Sequence, residues 1–416
     1  MMVKNVAMLK TKESFMLNSL LVFILIHSYV PFVGFYTPAF VYAAVIMLAY
    51  AVAFALIGGN RLFKLLTTVI PLFLINVLEI LFHAISGQGN AFTELYGLAQ
   101  NLLPAICTLF FMRQRNKKLA NKLLSILIIS CVFTSVTTYI GCQDYPNASR
   151  NLATNIREDN ISLYVTYMQH NIGGFNFIYT LTLLIPIVIY LAKNHHLNYI
   201  LSIIMVVAFV FAIKESEYTT ALLLSIIGLL SYVMPARMGW RKMRGVLLLI
   251  VFGCITLFDI APHVLRYVAS STESVEVSGR LNDLANVMSG DGSEVSSDSD
   301  LNSRQDKFQQ SWDSFVNSNF LGGWSQAKVG GHSYILDILG RYGIWGLILL
   351  LIMYTKLLKL YLKPYKRMPW YGYQALVISM AIIQAILNTD NCFPFMCLVF
   401  PLFSLVVQKK KINSLL

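Results

Sequence analysis

The sequence predicts an all-α, polytopic membrane protein with about twelve transmembrane helices. Composition is the first of three reasons. The chain has 416 residues, is 56% hydrophobic and only 12% charged, and has a mean hydropathy of +0.63. A soluble domain carries about twice that charged fraction. The second reason is periodic: apolar runs of about twenty residues, the length a spanning helix needs, alternate with short basic loops. The third is a single long polar stretch, 263–342, set late in the chain.

Hydropathy places candidate spans at 14–33, 38–58, 65–85, 96–112, 120–140, 173–192, 198–213, 218–236, 245–262, 343–362, 371–388 and 394–407. The seventh and the last are short, so ten or eleven spans remain alternatives. Lys4, Lys10 and Lys12 precede the first run without a small-residue cleavage site, so the first helix is expected to stay as an anchor. The chain then reads as one integral membrane domain over 1–416, in an inner (plasma) membrane.

Orientation follows from the bias of lysine and arginine toward cytoplasmic loops. With the N-terminus inside, every inside loop is basic: Arg61 and Lys64, the 113–118 cluster with Lys122, Lys193, the 237–244 cluster, Lys356 to Arg367, and Lys409 to Lys411. Most of the 32 basic residues fall there, while Glu13 alone of the 20 acids is clearly inside. Insertion explains the pI of about 9.3, so the charge implies no nucleic-acid partner.

Two loops are then outside, 141–172 and 263–342. In the second, SSTESVEVSG and SGDGSEVSSDSD read as flexible linkers. Asp300 or Asn302 is placed to cap a helix through SRQDKFQQSWDSF, with Phe308, Trp312 and Phe315 on one face. NFLGGW reads as a turn. HSYILDIL reads as a short helix broken at Gly340 and Gly343 ahead of the next span.

The six cysteines form no CxxC pair, and most read as core residues; a Cys142–Cys392 disulfide on the outer face has nothing in the sequence to support it. No Walker loop, dinucleotide fingerprint or HExxH occurs. Asp298–Ser299–Asp300 matches a DxD by letter only, inside a Ser/Asp-rich linker, so neither metal nor cofactor is expected. Arg280 and Arg304 suit a diphosphate clamp, because guanidinium forks match phosphate oxygens; the plainer reading pairs them with Asp283 or Asp306. His332, in GGHSYILD, follows glycines that permit close backbone approach, and a helix begins after it. It suits a general base supported by Ser333 or Asp337, although a lone histidine is more often a packing residue. In the first loop Arg150, Arg157, His170 and Asn171, with Tyr145, Tyr164 and Tyr167, suit sugar binding or the membrane interface equally. Glu79 and His83 lie in an apolar run four residues apart, either facing a cavity or satisfying one another.

The order of these pieces resembles a known superfamily. SGRL, then SR opening a helix that bears a tryptophan, then a glycine turn, then HSYILDILGRYGIWG entering a span, is similar to O-antigen and capsule polymerases (Wzy-type) and O-antigen ligases. The YPNASRNLA…NIGGFNFIYTLTLLIP stretch is similar to the first outer loop of such polymerases. The resemblance implies a GT-C-like fold with the large outer loop between helices 9 and 10, and a metal-independent inverting glycosyltransferase. Its donor and acceptor would be polyprenyl-diphosphate-linked glycans, its setting the lipid bilayer, with a chain-length regulator as a further partner. Arg280 and Arg304 would hold the diphosphate, His332 would act near the acceptor hydroxyl, and Ser333, Asp337, Arg150, Arg157, His170 and Trp312 would support or bind substrate. A ligase moving finished glycan is the rival of the same class. A repeat-unit flippase is the rival of another class; it predicts ionisable residues in the middle of several spans and short outer loops, whereas here intramembrane charges are few and the outer loop is long.

The topology has a direct check. A cysteine introduced at Ser297 is expected to react with an impermeant reagent on intact cells, because 263–342 is outside. Reaction only after lysis would reverse the orientation.

Overall fold

The computed structural model describes residues 2–57, 59–86, 116–153, 160–235, 261–271, 300–324, 327–388 and 393–407, with short pieces at 278–279, 281–282 and 285–286. All the regular structure among them is helical. The described helices are α1 (Met2–Tyr29), α2 (Pro31–Tyr36), α3 (Ala39–Ile57), α4 (Gly59–Ser86), α5 (Lys117–Asp144), α6 (Ala148–Asn151), α7 (Ile161–Gln169), α8 (Phe175–Lys193), α9 (Tyr199–Glu215), α10 (Thr219–Leu230), α11 (Ala261–Ser270), α12 (Asp300–Asn317), α13 (Tyr334–Tyr361), α14 (Tyr371–Leu387) and α15 (Phe393–Val407).

Three segments, Lys117–Asp144, Phe175–Lys193 and Tyr334–Lys356, are long and apolar enough to cross a membrane, and shorter apolar helices run over Phe15–Tyr29, Ala39–Ala53, Phe73–Ile85, Thr219–Leu230, Tyr371–Leu387 and Leu398–Val407. Their outward faces are apolar too: Phe40 is 71% exposed, Met47 70% and Ile200 69%. A water-soluble surface rarely carries so much contiguous apolar area, so these faces fit lipid and the protein is membrane-embedded. The expected spans at 96–112 and, for all but its last two residues, 245–262 lie outside the described residues.

Helix α8 is the axis of the bundle. Every residue from Phe177 to Ala192 is buried, as expected of a helix that is apolar all round. It packs against α9, α10, α14 and α15. Helix α5 packs against α1, α9 and α15, and α13 lies between α4 and α14. Several hydroxyl groups inside the helices return their hydrogen bond to the carbonyl four residues back, as Ser135 does to Cys131 and Ser202 to Asn198, which satisfies those donors within the helix. Asn116, Asn160 and Asn198 cap α5, α7 and α9, each accepting from the backbone N–H three residues on.

At one end the bundle gathers the 134–152 and 160–175 segments, the α9–α10 turn and the start of α13. At the opposite end Lys193 donates to the carbonyls of Tyr232 and Met234 past the end of α10, and Tyr373 donates to those of Ser231 and Met234. This satisfies carbonyls that a helix end leaves open.

The 263–342 region is more helical than its composition suggests. Helix α11, Ala261–Ser270, occupies residues from 263 on that were expected to be loop. Helix α12 begins at Asp300, so Asp300 and Asn302 lie within the helix and not before it as caps. The NFLGGW turn forms through a run of left-handed residues, Asn319, Phe320, Gly322 and Trp324. Two glycines expected to break the next helix behave differently. Gly340 is helical and sits where a Cβ would lie 2.8 Å from the Ser311 carbonyl, so it is a contact point for α12. Gly343 is the true kink, at φ 61° and ψ −148°, a region essentially reserved for glycine. A Cβ there would lie 2.3 Å from the Phe320 carbonyl oxygen, which accepts from Ile344 N at 2.9 Å. Cys142 is a free, buried thiol packed with Ala148, Tyr167 and Ile172; the Cys142–Cys392 disulfide is not formed, and Cys392 lies outside the described residues.

Gly343→Ala is therefore expected to destabilise the protein by about 1–3 kcal/mol or more, read as a lower thermal unfolding midpoint in detergent. Gly279→Ala, where a Cβ would meet nothing within 4 Å, serves as the neutral comparison. Equal midpoints for the two would mean the kink accepts a side chain.

Candidate functional site

The site is built where α12 lies across the first two turns of α13. Ser311, 1% exposed, is the joint. Its Oγ donates to Asp337 Oδ1 at 2.7 Å and accepts from Gly330 N at 3.0 Å. Asp337 Oδ1 also accepts from Gly331 N at 3.3 Å. Two backbone N–H groups and one hydroxyl thus fix the glycine pair that precedes His332. Glycine is required at 330, where a Cβ would lie 2.2 Å from the Lys307 carbonyl. At Gly331, φ is +69° and a Cβ would meet nothing within 4 Å, so the chain turns left-handed beside open space.

His332 follows, half-buried. Its Nε2 lies 2.6 Å from Lys307 Nζ. A lysine ammonium only donates, so Nε2 accepts and the ring proton sits on Nδ1 in this arrangement. Ser333 then caps α13, its Oγ accepting from Leu336 N at 3.3 Å. Tyr334 N donates to Asn388 O at 2.9 Å, which ties the helix start to the end of α14.

The predicted residues divide accordingly. His332, Ser333 and Asp337 come together, but the two supporters hold backbone: Ser333 caps a helix and Asp337 steadies the glycines. The side chain on His332 is Lys307, which the sequence reading passed over. Its signal was available, since Lys307 lies one helical turn after Arg304 in SRQDK. Arg304 lies on α12; Arg280 and Arg157 lie outside the described residues, as does Asp298. Trp312 is 45% exposed, its ring 5.5 Å from Phe315. The face α12 buries is that of Ser311 and Phe315, so Trp312 projects from the α13 contact and is free to meet another surface. His263 is exposed on α11. Arg341, a second residue not singled out, holds its guanidinium 4.9 Å from the Phe82 ring centre, and His83 meets the same ring edge-on at 5.4 Å.

The first loop is a knitted scaffold around Asn171. Its Oδ1 accepts from Phe32 N at 2.9 Å, and its Nδ2 donates to Thr137 Oγ1 at 2.8 Å and Thr134 Oγ1 at 3.2 Å. Asn171 is thus a structural strut whose amide is fully occupied. Gly173 N donates to Thr138 Oγ1, and Ser149 Oγ donates to Gly173 O. His170 stays exposed, its ring 5.2 Å from Tyr145, which lies 5.9 Å from Tyr167. Arg150, half-buried on α6, is near enough to Tyr218 for its charge to act there.

A chain of contacts joins the two regions. Tyr218 OH donates to Ser149 O at 2.9 Å, and the Tyr218 ring lies 6.0 Å from Tyr179. Tyr179 OH donates to Asn388 Oδ1 at 3.2 Å, and Asn388 O holds Tyr334. Arg150 and His332 therefore hang on one framework. Among the described residues no cluster of three metal-ligating side chains occurs. No family model, curated protein or solved structure matches the chain.

Ser311→Ala leaves a buried carboxylate oxygen and the Gly330 N–H short of a partner, a cost of about 1–3 kcal/mol. Hydrogen exchange is expected to speed up across 330–337. Ser333→Ala removes a cap worth about 1 kcal/mol, and its effect should stay within the first turn of α13. Unchanged exchange in Ser311→Ala would mean the joint is dispensable.

Proposed function

We propose that the protein is a polymerase that joins polyprenyl-diphosphate-linked oligosaccharide repeat units into O-antigen, capsule or exopolysaccharide chains. The reaction is a metal-independent inverting glycosyl transfer on the outer face of the inner membrane. The observation that carries the reading is His332: an imidazole on a glycine turn at the start of α13, whose apolar length is enough to cross a membrane, beside a helix bearing Lys307 and Arg304. That arrangement holds a base at a constant height near the bilayer surface, where a lipid diphosphate must lie. The motif resemblance and the basic-inside charge pattern agree with it. So does the polymerase-like first outer loop, which favours polymerase over ligase.

In this mechanism the acceptor hydroxyl attacks the anomeric carbon from the face opposite the diphosphate. The new C–O bond forms as the bond to the phosphate oxygen breaks. The hydroxyl proton passes to His332, acting as general base. Arg304 and Arg280 offset the charge that develops on the departing diphosphate.

Polymer ladders test this. His332→Ala, matched for membrane level, is expected to lower polymerisation by about 10²-fold or more, and His263→Ala to change little. Deleting the gene should leave single repeats at the surface and remove long chains. Long chains left on the lipid carrier would mean a ligase, and loss of all surface repeats a flippase. Long chains from His332→Ala would sink the base assignment.

A further inference from the structure

The contact between Lys307 and His332 sits uneasily with a free base. With the proton on Nδ1, the only lone pair of the imidazole ring is on Nε2, and Lys307 occupies it at 2.6 Å. Nor does the imidazole balance the lysine charge. Among the described residues no carboxylate pairs with Lys307: Asp337 is bound to Ser311 and Gly331, and Asp306 and Asp313 on the same helix are exposed. A half-buried ammonium whose hydrogen-bond partner is neutral is a cation awaiting an anion. Space for one exists, because the side of Gly331 where a Cβ would stand is open. The backbone there cannot drift, since Gly330 rests on the Lys307 carbonyl and is bonded to Ser311.

We infer that Lys307 is a diphosphate-binding residue that masks His332 until the donor arrives. Before the donor binds, its ammonium donates to Nε2 and withholds the base. A diphosphate is a stronger acceptor, because its bond to the ammonium is charge-assisted on both sides. It draws Lys307 off the ring, and Nε2 is then open to the acceptor hydroxyl. No covalent bond changes in this step; one N–H···N hydrogen bond is exchanged for N–H···O bonds. The identity of the anion as the donor's diphosphate rests on the proposed polymerase reading, whereas the masking itself does not.

The experiment reads the Nε2 lone pair directly, without polymer. Diethyl pyrocarbonate acylates an imidazole only at a nitrogen with a free lone pair. Full-length protein in phosphatidylcholine nanodiscs is treated with it, and the His332 peptide is followed by mass spectrometry, with exposed His263 as internal reference. In the wild type His332 should react slowly, and inorganic pyrophosphate should speed it several-fold. Lys307→Met should react fast from the start, with no further response. Lys307→Arg keeps a donor and a cation, so it should stay slow and responsive; it serves if Lys307→Met fails to insert. Pyrophosphate that slows or leaves unchanged the wild-type rate would overturn the proposal, as would a Lys307→Met rate as slow as wild type or an unresponsive Lys307→Arg. If nanodiscs containing phosphatidylglycerol unmask His332 as fully as pyrophosphate does, the anion is a phospholipid headgroup and the assignment to the donor falls. Normal ladders from His332→Ala would defeat the polymerase reading but leave this measurement standing, so the two can fail separately.

Discussion

The end of the molecule that bears the candidate site depends on one contact, that of Ser311 with the start of α13. A larger residue at 311 would push α12 off Gly340, whose hydrogens face the Ser311 carbonyl. An apolar residue of the same size would leave Asp337 and Gly330 unmatched. Serine alone is small and both donates and accepts there. Each hydrogen bond contributes only about 0.5–1.5 kcal/mol net, but leaving either buried partner unmet costs more. The joint is therefore specified more by what its loss would expose than by what its presence gains. It also explains why a polar helix lies flat on a membrane span: its buried face is a serine and a phenylalanine, and its remaining surface stays charged.

Below that joint the bundle supplies rigidity. Helix α8 is buried along its length, so it cannot slide without disturbing the helices packed around it. The end nearer the candidate site carries Tyr179, which holds Asn388, which in turn holds Tyr334. Its other end carries Lys193, fixed to carbonyls beyond α10. The polar residues of the axis thus sit at its two ends, where each ties a neighbouring segment. His332 inherits its position from this chain of attachments: the height is set by α13, the lateral position by Asn388, and the turn by Ser311 and Asp337.

What the sequence made legible was local. Hydropathy located the apolar helices, and glycine chemistry located the kink at Gly343. Each of these is decided within a few neighbouring residues. What stayed hidden was pairing. Gly340 reads as a helix breaker until Ser311 is seen against it, and the buried face of α12 reads as Phe308–Trp312–Phe315 until the register against α13 shifts it to Ser311 and Phe315. Asn171 reads as a sugar-binding amide until Phe32, Thr134 and Thr137 are found to use it. Asp337 reads as a partner for His332, five residues away, yet its hydrogen bonds go to Ser311 and Gly331. Lys307 and His332 are 25 residues apart on elements whose relative register no periodicity reports.

That last pairing bears on the chemistry of the proposed reaction. Inverting transfer sets the base and the leaving diphosphate on opposite faces of the sugar, so one ammonium cannot bond both at the moment of reaction. A lysine that contacts the base in the empty site must leave it before the hydroxyl can be deprotonated. The flexible stem of lysine permits such a swing. Lys307 and Arg304 lie one turn apart on α12. The arginine suits the fixed, bidentate grip on phosphate oxygens, and the lysine suits the movable contact. A base withheld until the diphosphate is bound also cannot activate water against a donor that is not yet seated, which a site open to solvent requires if lipid-linked sugar is to be transferred and not hydrolysed.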